Sequence, residues 1–326
     1  MRNLFVATLL SMIASSGYAA GIRFFVIPAD AGGPALQAVV WTPCAVAPEP
    51  IKVGPYRLQA TKDCPTVGDA RPLVVLSHGH GGARLDQHDL AETLADAGFI
   101  VAAISHPGDT ATDMSRTNEA SVFVERPNDI KRLIDYMLGS SADVARIDAR
   151  AIGFFGFSRG GFTGLVLAGG VPDFQHADIP CPDELPICKL VREGKLPPQH
   201  WTHDARIKAF VLADPLDAFP TAPTVAHIRA PIQLWASEYG GDGVLPETTP
   251  ALAKLLPVRP EYHLVEGAAH FAFLPPCSDE LAAIVPRICV DGQGYDRAAF
   301  HAEFNRDVLA FFRAELLQTS NSNAAR

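Results

Sequence analysis

The chain has 326 residues, 48% of which are hydrophobic, and a formal net charge of −9. This length and composition allow a large buried core, in one big α/β domain or in two ordinary ones. A nucleic-acid-binding protein relies on clustered lysine and arginine, and this acidic chain has no basic stretch, so we exclude nucleic acid as a partner.

The N-terminus is typical of a secretory signal peptide. Arg2 precedes an apolar run over residues 4–13, and small residues follow, ending with Ala19 and Ala20. The run is roughly half as long as the about 20 apolar residues that a membrane-spanning helix needs. We expect cleavage after Ala19, and therefore a periplasmic or secreted protein with no stable membrane insertion. The alternative is an uncleaved signal anchor.

The six cysteines fall into three pairs that are close in sequence. Export favours disulfides, and short loops close at the lowest entropic cost. Out of the fifteen pairings that six cysteines allow, we therefore predict the bridges Cys44–Cys64, Cys181–Cys188 and Cys277–Cys289. Structural zinc is the rival interpretation, and the absence of a C-x-x-C motif argues against it.

The first predicted strands lead to a glycine-rich loop. Residues 22–27 and 36–41 predict two antiparallel edge strands, and the proline-rich segment 43–69 predicts a polar loop. Residues 72–76 predict a buried strand that runs into the sequence SHGHGG, residues 77–82. In acyl transfer, a loop of this kind supplies a backbone donor to the oxyanion. We assign that role to the amide of His80.

Two other interpretations of the same loop are weaker. Its glycines match neither the P-loop spacing nor the dinucleotide-binding spacing, so phosphate binding is not indicated. His78 and His80 have no third metal ligand nearby in the sequence. We therefore expect no metal site and no cofactor.

The chain continues as a strand–helix–strand unit. Residues 87–97 predict a helix, residues 99–104 predict the next strand, and His106 and Asp109 lie in the loop after it. Loops after the carboxyl ends of parallel strands form the ligand crevice, so these two residues either line a pocket or only shape the turn. Pro127 predicts the start of the following helix.

A strand, a sharp turn and a helix are predicted within residues 151–170. Residues 152–157 form an apolar strand pattern, and Gly156-Phe157-Ser158-Arg159-Gly160 matches G-x-S-x-G before a helix pattern. In this motif the serine is a nucleophile on a strained turn, and the next amide is an oxyanion donor. We predict Ser158 as the nucleophile and the amide of Arg159 as the donor. A plain glycine-rich turn is the alternative.

The segment after this turn, residues 171–203, interrupts the alternation of strands and helices. It is rich in proline and contains Cys181 and Cys188. Two interpretations fit it equally, a lid over the active site or a surface loop held by a disulfide.

A catalytic serine needs an imidazole base. His270 follows a predicted strand on a turn of small residues, where a mobile catalytic imidazole belongs, whereas His263 lies inside that strand. We predict His270 as the base. Residues 290–317 predict a loop and a closing helix, whose phenylalanines recur at helical spacing and are expected to pack into the core. Residues 318–326 predict a disordered tail.

The base in turn needs a carboxylate. The predicted strands 206–213 and 231–236 are followed by Asp214, Glu238 and Asp242, and all three satisfy the order serine, acid, histidine. We favour Asp242 because its glycine-flanked loop is free to bring the carboxylate to the imidazole. Asp214 precedes a proline, which favours an extended backbone, and it stays an alternative together with Glu238.

Five motifs, LSHGHGG, Arg126-Pro127 with Asp129, GFSRGG, WASEYGGDGV and GAAHFAFLPPC, occur in this order. Together they resemble the α/β-hydrolase superfamily, and more narrowly the bacterial dienelactone-hydrolase-like group related to the platelet-activating-factor acetylhydrolases. The resemblance covers residues 22–317. It implies a mostly parallel central sheet flanked by helices, with residues 20–317 as one hydrolase domain that carries the insertion 171–203.

The resemblance maps the family's nucleophile, acid and base onto Ser158, Asp242 and His270, and its oxyanion amides onto Arg159 and His80. In the acetylhydrolase branch the acid looks as though it follows the preceding strand, so Asp214 remains open. True dienelactone hydrolases use a cysteine nucleophile, and the serine here favours ordinary esters.

The sequence thus predicts an exported serine carboxylester hydrolase that acts on small or medium esters. Its partner would be a small-molecule or lipid ester. The alternatives are an acyl ester hydrolase of phospholipids or platelet-activating factor, a lactone hydrolase, and a secreted binding protein on a catalytically dead hydrolase fold.

Overall fold

The computed structural model describes residues 18–182 and 185–322. Residues 1–17, which hold most of the predicted signal peptide, and residues 323–326 of the predicted tail lie outside the described residues. The first strand begins at Ala19, which pairs with Cys44, and Ala20 is fully buried. The last helix continues through residues 318–322, which were predicted to be disordered.

A ten-stranded sheet forms the centre of the molecule. Its strands are β1 (Ala19–Ile27), β2 (Leu36–Cys44), β3 (Glu49–Val53), β4 (Tyr56–Lys62), β5 (Arg71–Ser77), β6 (Ile100–Ser105), β7 (Ile147–Phe157), β8 (Ile207–Ala213), β9 (Ile232–Ser237) and β10 (Glu261–Val265). Their order across the sheet is β10-β9-β8-β7-β5-β6-β2-β1-β4-β3. The six strands from β10 to β6 are parallel, and β2 pairs antiparallel with both β1 and β6.

Eight α-helices connect or flank these strands within the described ranges. They are α1 (His88–Asp96), α2 (Ala120–Gly139), α3 (Arg159–Leu167), α4 (Pro186–Arg192), α5 (Ala222–Val225), α6 (Thr248–Leu255), α7 (Asp279–Ile284) and α8 (Arg297–Ser322). Short 3₁₀ turns occur at Val144–Arg146, His270–Phe273 and Pro286–Ile288.

Both faces of the parallel sheet are buried. In β5, Leu73 and Val75 pack into one apolar cluster with residues of α2 and α3, while Val74 and Leu76 pack into another with residues of α1 and α8. Because alternate side chains of a strand point to opposite faces, the continuous apolar run of β5 serves both layers. The predicted α/β fold, with a mostly parallel sheet flanked by helices, is confirmed.

Two local predictions differ from the structure. Helix α2 begins at Ala120 and passes through Pro127, which was predicted to be its first residue. Proline removes one backbone donor inside the helix, yet the earlier turn is held because Val122 and Phe123 are buried. The segment 43–69, predicted as a loop, contains the hairpin of β3 and β4.

The insertion over residues 171–203 packs beside the end of α3. The rings of Phe174 and Trp201 both contact Phe162, and the amide of Val171 donates to the carbonyl of Thr224. This packing anchors both ends of the insertion, and its role as a lid stays a prediction.

All three predicted disulfides are present, Cys44–Cys64, Cys181–Cys188 and Cys277–Cys289. Closeness in sequence predicted the pairing correctly because each bridge closes a loop of 20 residues or fewer. Among the described residues, no helix combines the length and the apolar character that crossing a membrane requires.

We predict that the oxidised protein contains no titratable thiol and that the bridges differ in their contribution to stability. Cys44–Cys64 spans 20 residues and Cys181–Cys188 spans 7. Loop-closure entropy then makes the paired Cys→Ser replacement at positions 44 and 64 cost about 1 kcal/mol more in the free energy of unfolding than the pair at 181 and 188. Thiol titration and denaturant unfolding of the two double variants measure this. Three or more thiols in the unreduced protein would contradict the disulfide framework.

Candidate active site

The polar residues of the candidate site follow the carboxyl ends of adjacent parallel strands. Ser158 follows β7, Asp214 follows β8, and His270 lies after β10. In open α/β sheets this edge is where ligands bind.

Ser158 lies at a strained turn between β7 and α3. Its backbone has φ 56° and ψ −118°, a conformation that is rare for a residue with a side chain. The residue is only 3% exposed. This geometry matches the strand-to-helix turn that the motif predicts for a nucleophile.

The glycines around the serine are required by close backbone approach. A Cβ at Gly156 would lie 2.2 Å from the carbonyl oxygen of Gly160, and a Cβ at Gly160 would lie 2.0 Å from that of Ser77. A Cβ at Gly79 would lie 3.3 Å from the Cβ of Ser158. The glycine-rich loop after β5 therefore lies directly beside the serine.

His270 is buried at the start of a 3₁₀ turn and is oriented from two sides. Its Nδ1 donates to Oδ2 of Asp214 at 2.6 Å. Its ring stacks on Phe157, the neighbour of Ser158, with centroids 4.7 Å apart. Its buried Nε2 has no hydrogen-bond partner among the described residues, so this nitrogen is the one available to accept a proton.

Asp214 is held by groups at the end of β9. Its Oδ1 accepts the backbone amide of Ser237 at 3.0 Å, and its Oδ2 accepts the Ser237 hydroxyl at 2.7 Å. The carboxylate is thus fixed before it meets the imidazole. Ser237 was not identified from the sequence, because nothing in the spacing of a lone serine indicates this contact.

The prediction that Asp242 orients His270 is wrong in this structure. The carboxylate of Asp242 lies 3.2 Å from Arg287 and 3.7 Å from Nδ1 of His80. The nearby imidazole of His80 is the main cause that lowers the pKa of Asp242 to about 2. Only the backbone of its loop borders the base, where the amide of His270 donates to the carbonyl of Gly240.

The sequence favoured Asp242 over Asp214 because it predicted the wrong backbone conformation at Asp214. Asp214 was expected to be extended because Pro215 follows it, yet its φ is 45°. This left-handed turn puts the carboxylate against the imidazole. The third alternative, Glu238, accepts the amide of Gly267 instead. His263 stacks on Trp235 and does not take part in the site.

The amides of His80 and Arg159 donate to no acceptor among the described residues. Both flank Ser158, one from the glycine-rich loop and one from the first residue of α3. They are therefore available to a ligand oxygen, and their role as oxyanion donors remains a proposal.

His106 and Asp109 are buried behind the loop instead of lining a pocket. His106 contacts Asp129 through Nδ1 and the hydroxyl of Ser77 through Nε2, both at 3.0 Å. Burial is the main cause that lowers the pKa of His106 well below its usual value and raises the pKa of Asp129 to about 7. This serine–histidine–aspartate chain is internal and was not indicated by the sequence.

Three comparisons with known proteins bear on this site. A family model described as platelet-activating factor acetylhydrolase, isoform II, matches residues 49–136. A ferulic acid esterase from Streptomyces cinnamoneus has a similar structure, with a TM-score of 0.65 and 21% identity over 94% of this chain and 92% of that one. The chain therefore has the fold of this esterase, and its residues 49–136 are similar to the platelet-activating-factor acetylhydrolases.

A curated relative matches a shorter part of the chain. The putative esterase NocK of Nocardia uniformis subsp. tsuyamanensis is 30% identical over 125 residues, which are 36% of this chain and 35% of that protein. The match therefore spans about a third of the relative's length. The acetylhydrolase model covers the glycine-rich loop, residues 77–82, and stops before Ser158.

We predict that Asp214→Asn keeps the fold but lowers kcat on a soluble p-nitrophenyl ester by about 10⁴, because the imidazole loses the carboxylate that orients it. The matched control is Asp242→Asn, the same change at the acid that does not contact His270, and it should cost less than tenfold. Steady-state kinetics of the two variants measure both effects. A larger loss at Asp242 would restore that residue as the acid.

Proposed function

We propose that the protein is an exported serine hydrolase that cleaves carboxylic esters through an acyl-enzyme intermediate. Ser158 is the nucleophile, His270 the general base and Asp214 the acid that orients it. The observation that carries this proposal is the imidazole of His270, which is bound at Nδ1 by a fixed carboxylate and has a free, buried Nε2 beside the strained serine turn.

The first half-reaction forms the acyl-enzyme. The hydroxyl oxygen of Ser158 attacks the ester carbonyl carbon while Nε2 of His270 takes the hydroxyl proton. The carbonyl π electrons move to the oxygen, and the tetrahedral intermediate then expels the alcohol, which receives the proton from His270. In the second half-reaction, water repeats the attack on the acyl carbon and releases the carboxylic acid and free Ser158.

The remaining groups stabilise charge in these steps. Asp214 faces the imidazolium, and its two bonds from Ser237 hold the carboxylate in place against this cation. The amides of His80 and Arg159 face the developing oxyanion. Each such donor lowers the barrier by about 3 kcal/mol, so the glycine-rich loop contributes on the same scale as the acid and base.

The substrate proposal is a small or medium carboxylic ester. A second candidate is an acyl ester on a phospholipid, favoured by the acetylhydrolase model that matches residues 49–136. The three disulfides support export to the periplasm or the medium. A cyclic-lactone substrate has less support, because the nucleophile position holds a serine.

We predict that Ser158→Ala abolishes ester hydrolysis and labelling by a fluorophosphonate probe without lowering the melting temperature by more than a few degrees, because the hydroxyl is used in chemistry instead of packing. The matched control is Ser115→Ala, on an exposed loop, which should leave both readouts unchanged.

The assay is a panel of p-nitrophenyl esters of increasing chain length, a lactone and a short-chain phospholipid, measured on mature protein. The order of the hydrolysis rates across this panel identifies the substrate class. Substantial turnover by Ser158→Ala would refute the nucleophile. A wild-type protein that is neither labelled nor active would indicate a binding protein on a dead hydrolase fold.

A further inference from the structure

Behind the candidate site lies a buried cluster of three charged residues, Asp109, Arg126 and Arg159. Nη1 of Arg126 donates to Asp109 at 2.6 Å, and Nη1 of Arg159 lies 3.0 Å from each oxygen of the same carboxylate. The hydroxyl of Thr117 also donates to Asp109, at 2.5 Å. One carboxylate therefore holds two guanidinium groups together.

The cluster carries one net positive charge away from water. Asp109 is fully buried, Arg126 is 1% exposed, and 11% of the Arg159 side chain is exposed. Burial alone would raise the pKa of Asp109, but the neighbouring guanidinium groups of Arg126 and Arg159 lower it to about 2. Burial lowers the pKa of Arg126 to about 10. Asp109 is thus an anion and Arg126 a cation at neutral pH, and the guanidinium of Arg159 is a second cation, as arginine always is in proteins.

The guanidinium of Arg126 reaches both segments that carry the proposed oxyanion donors. Arg126 donates through Nη2 to the carbonyl of His78, in the glycine-rich loop. The Nε of Arg126 donates to the Thr163 hydroxyl at 3.4 Å, and this hydroxyl donates to the carbonyl of Arg159 at 3.0 Å. The cluster therefore joins the loop to the first turn of α3.

The next peptide of the loop is fixed as well. The amide of His106 donates to Nε2 of His78 at 3.0 Å, so the ring proton of the neutral imidazole is on Nδ1. This Nδ1 donates to the carbonyl of Gly79 at 2.7 Å. That carbonyl belongs to the same peptide group as the amide of His80, so its orientation sets where the amide points.

We propose that Asp109 is a positioning residue for the oxyanion hole. By holding Arg126 and Arg159 together, it fixes the spacing between the amides of His80 and Arg159 and keeps a net positive charge behind them. The inference rests on the proposed function, because it needs an oxyanion to form between those amides.

A positioning role of this kind has a kinetic signature. The ester in the ground state is neutral at its carbonyl oxygen, and the charge appears only in the transition state. Interactions that are made only in the transition state change kcat and leave KM nearly constant. A cluster that merely held the fold together would instead lower the fraction of folded enzyme and its melting temperature.

The test uses Arg159→Gln, which removes a guanidinium from the cluster and keeps the backbone amide at position 159. On a p-nitrophenyl ester we expect kcat to fall roughly ten- to hundredfold, with KM within about threefold, because misplacing a catalytic group by about 1 Å costs on the order of a hundredfold. Affinity for a boronic acid, whose tetrahedral anionic adduct occupies the oxyanion hole, should fall by the same factor. Affinity for a neutral product alcohol should not.

Two further variants control this result. Asp109→Asn should show the same kcat loss, and the double variant should lose no more than the larger single, since both act through one unit. Arg206→Gln removes an arginine of an ion-paired cluster at the opposite end of β8 and should stay within twofold of the wild type. If Asp109→Asn fails to fold, Arg159→Gln alone decides the question.

A loss confined to KM, a kcat within twofold of the wild type, or additive losses in the double variant would overturn the positioning role. These results are distinct from failure of the proposed function. In that case the wild-type protein would not hydrolyse the ester or react with the fluorophosphonate probe at all.

Discussion

The contact between two backbone segments at Gly160 and Ser77 controls the candidate site. The carbonyl at the end of β5 occupies the space where a side chain at Gly160 would be. This approach brings the glycine-rich loop against the serine turn, because β5 and β7 are neighbouring parallel strands in the sheet. The positions of the proposed nucleophile Ser158 and of both candidate donor amides depend on the absence of a side chain at Gly160.

The imidazole of His270 and the carboxylate of Asp214 are placed by the next strands on the same edge. Asp214 follows β8, and the groups that hold it belong to the end of β9. The buried apolar layers on both faces fix these strands. The polar groups at the strand ends are therefore held at a defined spacing. The loops need only short turns to bring serine, histidine and aspartate together.

The sequence predicted the parts of this arrangement that depend on local patterns. The serine turn and the histidine on its small-residue turn each had a signal within a few residues, and each disulfide closes a loop of 20 residues or fewer. The acid did not, because the choice between Asp214 and Asp242 depended on the left-handed backbone at Asp214, which the following proline argued against. The cluster of Asp109, Arg126 and Arg159 joins three distant segments, and no periodicity or spacing indicates it.

The stacking of Phe157 on His270 has a further consequence. Phe157 is the residue before the serine in the G-x-S-x-G motif, and its ring lies 4.7 Å from the imidazole with 30° between the planes. When the imidazole gains a proton, its positive charge faces the negative π surface of the phenyl ring, an attraction of about 0.5–2 kcal/mol. A variable position of the motif therefore provides a cation–π partner for the protonated base, as well as apolar packing under the turn.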